Sequence, residues 1–285
     1  MTAAFRTPII AGALLAAGLW PAVSDGAASM RLTAENLAPD MATAWVTGRL
    51  DGDDFLPPES GPGPVVSDKA HPYIPNGRGQ APTYRVADLS NPILKPSAVA
   101  EMKKANDAVL AGKVPFIARE RCWPTGMPGF LVGARIVPVY FLHTPRQIML
   151  IIALDAQVRH IYLNVPHSRN PKPSWYGESV GHYEGDTLIV DTIGMNDKTF
   201  VDNYRTPHTT ALHVVERFTL TEGGNTLEVQ VRVEDPGAFN MPWSAVQRYH
   251  KVKRPALSED RCAENNSNYL NEEVRPIPTA AKPDF

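Results

Sequence analysis

The stretch Thr226–Glu234 constrains the fold more than any other part of the chain. Leu227, Val229, Val231 and Val233 alternate without a break with Glu228, Gln230, Arg232 and Glu234. A period of two marks a strand with one buried face. Residues 211–220 form a similar run, and Glu222-Gly223-Gly224-Asn225 between the two is a strong hairpin turn. Upstream, Arg135–Leu142, Gln147–Leu154 and Val158–Leu163 are apolar, β-branched runs divided by His143-Thr144-Pro145-Arg146 and Asp155-Ala156-Gln157. His182–Asp191, with its tight turn Glu184-Gly185-Asp186, and Trp243–Val252 bring the reading to seven or so strands. The pattern predicts an all-β core, an antiparallel meander forming a lipocalin-like barrel or a sandwich.

The flanks set the frame. Residues 1–28 read as a signal peptide: Arg6 is the positive start, Ile9–Leu19 the apolar run, and Ala22-Val23-Ser24 or Gly26-Ala27-Ala28 the cleavage site. The run is short for a bilayer and Pro21 interrupts its end, so no membrane span is expected after cleavage. A periplasmic or secreted location follows. Residues 29–118 read as an irregular Pro/Gly-rich extension, with Gly61-Pro62-Gly63-Pro64 and Pro75-Asn76-Gly77 as turn signals. It carries one short helix, opened by Pro96, closed near Gly112, with Val99, Met102, Ala105 and Val109 on one face. The β core spans 119–256 and a tail spans 257–285. With 27 prolines the chain favours ordered turns over long helices. A formal net charge of −2 and the lack of any Lys/Arg-rich block argue against a nucleic-acid partner.

Cys122 and Cys262 are the two cysteines. In an exported chain they are expected to form one disulfide tying the start of the core to its tail. In the chain-entropy picture a loop of that length contributes roughly 4–5 kcal/mol.

Strand parity points to candidate site residues. Leu212, Val214, Glu216, Phe218 and Leu220 share one face, so Glu216 is a carboxylate inside an apolar row. Such a group must be paired, hydrogen-bonded or protonated. Asp235 continues the inward face of Thr226–Glu234. The two are candidate interior acid/base groups; the competing role for Glu216 is a structural ion pair, for example with Arg248. His208, in the loop before the Glu216 strand, is a candidate rim proton donor or acceptor, with Asp191 supporting it. His213 has the opposite parity to Glu216, so His208, His213 and Glu216 do not form a convincing metal set, and no metal is expected. Trp175, His167, Tyr183, Trp243 and Phe239 lie near strand ends and loops, where they would contact a ligand or, for the aromatics, pack the core. No nucleophile motif and no nucleotide-binding glycine loop is present, so no cofactor is implied.

Several motifs in combination resemble a family of exported, β-rich bacterial proteins. They are Cys122-Trp123-Pro124-Thr125-Gly126-Met127-Pro128, Ser174–Gly181, Tyr183–Thr192, Pro207-His208, Leu212–Phe218, Glu234-Asp235-Pro236, Pro242-Trp243 and Cys262-Ala263-Glu264-Asn265-Asn266. The resemblance covers about 94–266 and implies a secreted β domain without implying an activity. Where that family has Asp-Gly-Arg after the third strand, this chain has Asn164-Val165-Pro166; where it has Ser-Glu after Pro-His, this chain has Thr209-Thr210.

These residues lead to the expectation of an exported, cofactor-independent enzyme. Its chemistry would be acid/base: elimination, isomerisation, hydration or cyclisation of a small apolar molecule, placing it among lyases or isomerases. The alternatives are a periplasmic lipocalin-like binding protein and an envelope interaction protein using the Pro-rich segment.

Overall fold

The alternation at residues 226–234 becomes the most regular strand of a closed barrel. The structure, a computed structural model, describes residues 30–38, 43–47, 54–74, 84–113, 115–116, 122–132, 138–152 and 157–253. The strands are β1 (Thr43–Val46), β2 (Val139–His143), β3 (Gln147–Ile152), β4 (Gln157–Leu163), β5 (Glu178–Glu184), β6 (Thr187–Ile193), β7 (His213–Thr221), β8 (Thr226–Glu234) and β9 (Trp243–Lys253). They pair in chain order, and β9 pairs back onto β1 to close the sheet. The expected signal peptide, the tail and Cys262 lie outside the described residues, and with Cys262 lies the expected disulfide. Among the described residues no helix is long and apolar enough to cross a membrane.

Two details differ from the expectation. The barrel has nine strands: the run read as His182–Asp191 forms two, β5 and β6, and Thr43–Val46, inside the stretch read as irregular extension, inserts between β2 and β9. Its TAWV sequence is too short to show a period, yet all four residues are buried. And the meander is broken once: β4 and β5 run parallel, Ile161 beside Ser179 and Leu163 beside Gly181. Parallel neighbours need a crossover of a dozen or more residues, which residues 164–177 supply.

The interior row is the one parity predicts. Leu227, Val229, Val231 and Val233 are fully buried, as are Val214, Phe218 and Leu220 across the β7–β8 hairpin. Helix α1 (Ala34–Leu37) packs Leu37 inward, and its Leu37 carbonyl accepts a 2.9 Å hydrogen bond from the indole of Trp45. Helix α2 (Pro96–Leu110) buries Ala98, Met102 and Asn106. Asn106 holds the chain of Ala87 through both its amide and its carbonyl, each at 2.9 Å.

One glycine position is tightly constrained. Gly177, where the crossover enters β5, has φ 64°, and a Cβ there would strike the Ile193 carbonyl oxygen and lie 2.6 Å from Met195 Sδ. Gly185, in the β5–β6 turn, has a similar φ of 59° but open space around it. Gly177→Ala is expected to destabilise the protein by about 2–4 kcal/mol and Gly185→Ala by only about 1 kcal/mol. Urea denaturation of the two variants separates the clash from the backbone strain they share.

Candidate functional site

Glu216 projects into the barrel and is fully buried. Its partner is Arg159, also fully buried, on β4. Nη1 of Arg159 donates to Oε1 at 2.8 Å and Nη2 donates to Oε2, a fork-to-fork pair. The guanidinium also donates to Ser179 Oγ through Nε at 3.2 Å and to Thr192 Oγ1 through Nη2 at 3.0 Å. One side chain of β4 thus reaches β5, β6 and β7. The ion pair foreseen for Glu216 with Arg248 is formed with Arg159 instead. Arg248 points outward and pairs with Glu228 at 2.8 Å, because positions 216 and 248 lie on opposite faces of the sheet.

Asp235 and His208 build a loop joint. Asp235 is buried, and Oδ1 accepts from the Thr209 hydroxyl and the Gly237 amide, both at 2.8 Å, while Oδ2 accepts from the Thr209 amide. Among the described residues it shares no partner with Glu216. His208, expected at the rim as a proton donor or acceptor, is buried. Nδ1 lies 3.0 Å from the Thr209 carbonyl and must donate to it, so Nε2 accepts from the Thr199 hydroxyl at 2.9 Å. Burial pushes the imidazole below its ordinary pKa, leaving it neutral and occupied at both nitrogens.

Asp191 and His167 do come together, on the outer face of the sheet. Asp191 stands on β6 between Val180 of β5 and Val215 of β7. Its Oδ2 lies 3.0 Å from His213 Nε2, and its Oδ1 lies 2.8 Å from His167 Nε2. His167 Nδ1 in turn lies 3.0 Å from Glu178 Oε1, which also accepts the Ser168 amide at 2.7 Å. The result is a linear relay, His213–Asp191–His167–Glu178, with side chains 21–33% exposed. Burial pushes the Asp191 carboxyl up, but hydrogen bonds from His213 and His167 outweigh it and hold the group below its ordinary value. His213 is raised, chiefly by its hydrogen bond to Asp191, against the opposing effect of burial. With Nε2 turned to Asp191, Nδ1 of His213 has no partner among the described residues. Parity had set His213 outward, and the β6–β7 pairing alone brings it to Asp191; His167 and Glu178 meet only because the parallel crossover returns along the barrel wall.

The aromatic candidates divide. Trp243 and Phe239 are core residues in edge-to-face contact at 5.9 Å, and Phe55 also meets Trp243 edge-to-face at 6.1 Å. Tyr183 donates to the Leu32 carbonyl at 2.6 Å and carries the Arg31 guanidinium over its ring. Trp175 joins a half-buried cluster with Trp123 at 5.4 Å, and Lys198 lies over its ring.

A second polar assembly was not foreseen. The β6–β7 connection carries Asp202, Tyr204 and Arg205, all buried. Asp202 Oδ1 accepts the amides of Tyr204 at 2.9 Å and Thr206 at 3.1 Å, and Oδ2 accepts the Thr206 hydroxyl at 2.8 Å. Burial nevertheless raises its carboxyl to about 6. The Tyr204 hydroxyl donates to Asp54, which forms an ion pair of 2.8 Å with Arg85. Asp202-Asn203 was readable as a turn, but nothing local shows that the turn folds inward.

Among the described residues no set of three or more His, Cys, Asp or Glu side chains is placed to hold a metal ion. Comparisons with family models, curated proteins and solved structures find no match to the chain.

Proposed function

We propose that the chain is an exported, cofactor-independent enzyme that moves protons on a small, largely apolar molecule, with His213 as the acid/base group. What carries this reading is Asp191, whose two oxygens each hold one imidazole. A carboxylate hydrogen-bonded to Nε2 fixes the ring and leaves Nδ1 of His213 to take or give a proton. His167 and Glu178 position Asp191 from the other side. Val180 and Val215 flank the relay, which suits an apolar substrate. Cys122 and Cys262 belong to the same proposal as the single disulfide of an exported chain.

Elimination, isomerisation, hydration and cyclisation by acid/base steps exchange carbon-bound or oxygen-bound protons with solvent. The mature protein, incubated in D2O with a bacterial small-molecule extract, is therefore expected to place carbon-bound deuterium in one compound, detected by mass spectrometry. His213→Gln should slow that labelling by about 100-fold or more, the usual contribution of a general acid or base. Equal labelling with wild type and His213→Gln, or none with either, would leave the relay without a catalytic role and favour a binding protein.

A further inference from the structure

We propose that Arg205 anchors a binding site for a small carboxylate at the end of the barrel covered by the β6–β7 connection. A guanidinium stays charged at every accessible pH, and burying it without an anion is costly. Arg205 is 5% exposed. Among the described residues its guanidinium makes one hydrogen bond, from Nη2 to the Arg85 carbonyl oxygen. Its Nε is buried and has no partner among the described residues. Among those residues no carboxylate lies within ion-pair distance of it. Asp202 acts on it through space, but both Asp202 oxygens are engaged by Tyr204 and Thr206. Arg85, whose charge also bears on Arg205, is joined to Asp54.

The backbone makes the same point independently. Arg205 has φ 62°, the left-handed region in which glycine or asparagine sits more easily. Glycine would close the turn between Val201 and Thr206 without strain and without a buried charge. A left-handed backbone and a buried guanidinium without a paired carboxylate, met at one residue, point to a functional position.

The surroundings select the ligand. One planar guanidinium edge fits the two oxygens of a carboxylate, whereas a phosphate brings more charge and more acceptors than this site answers. Tyr73 and Tyr204 stack about the neighbouring Arg85, at 3.9 and 5.8 Å, and Val201 and Tyr204 are buried. A small carboxylate answers the guanidinium edge that Arg205 leaves unpaired. The site is separate from the His213 relay, and its test does not depend on that reading.

The test is titration of the mature protein with formate, acetate and benzoate, followed by calorimetry and thermal melting, with benzamide as the neutral control. At least one of the three carboxylates is expected to bind and raise the melting temperature, and benzamide is not. Arg205→Met, which keeps the apolar stem and removes the charge, should melt at or above the wild-type temperature and bind that carboxylate at least tenfold more weakly. If Arg205→Met does not fold, Arg205→Lys, which keeps the charge without the fork, must show the tenfold loss. Absence of carboxylate binding, equal binding of benzamide, or undiminished binding by the variant overturns the proposal. Binding of inorganic phosphate in place of all three carboxylates overturns it too.

Discussion

Glu216→Gln is expected to lower the unfolding free energy by about 3–5 kcal/mol, the usual cost of removing one partner from a buried ion pair. The variant leaves the Arg159 guanidinium fully buried with only neutral acceptors, Ser179, Thr192 and the new amide. Arg159→Met should cost a similar amount by leaving the Glu216 carboxylate without its cation. The double variant Arg159→Met/Glu216→Leu removes both desolvated charges and should recover most of the loss, since apolar replacement of a whole buried pair is often neutral or better. Urea denaturation of the two single variants and the double variant completes the cycle. Losses below about 1 kcal/mol in both single variants would mean that water reaches the pair and that the barrel interior is wetter than its fully buried side chains indicate.

Asp202→Asn should stabilise the protein at neutral pH and flatten its stability between about pH 4 and 6. The Asp202 carboxyl is raised from 3.8 to about 6 by burial, with Asp54 adding a smaller effect in the same direction. The folded state therefore binds this proton more tightly than the unfolded chain. Its contribution is favourable below pH 4, is lost as pH rises through about 6, and leaves a neutral-pH penalty of about 3 kcal/mol at most. Asparagine keeps an oxygen for the Tyr204 and Thr206 amides, and its own amide can donate to the Thr206 hydroxyl. The measurement is the wild-type-to-variant difference in unfolding free energy at pH 4 and pH 7.5, in which other titrating groups cancel. A difference that does not grow with pH would show that Asp202 is ionised in the fold.

Parity carried much of the fold and part of the site. A period of two located Glu216 inside and His213 outside, because both follow from one strand's alternation. It also held an unused signal: in Val158–Leu163, Arg159 falls in the same row as Ile161 and Leu163, and an arginine in a buried row asks for a carboxylate on the row facing it. Which carboxylate depends on strand order, and that turns on the parallel β4–β5 junction, which no local pattern announces. For the same reason His167 could be noticed as a loop histidine but not joined to Asp191. Arg205 was invisible, since a left-handed turn residue reads as an ordinary polar loop position until the loop is seen to fold inward.

The parallel junction has a mechanical consequence. Backbone pairing is extensive around most of the wall, reaching nine paired positions between β7 and β8, but it is three positions long between β4 and β5 and one position long between β1 and β2. The sheet β2–β3–β4 is therefore a panel hung between two narrow hinges. The Arg159 fork is the latch on the β4–β5 hinge, gripping Ser179, Thr192 and Glu216 across a ladder of three positions. Unlatched, the wall would part along this seam before the longer ladders beyond it, and amides of β4 and β5 would exchange with solvent while the β6–β9 meander stayed closed.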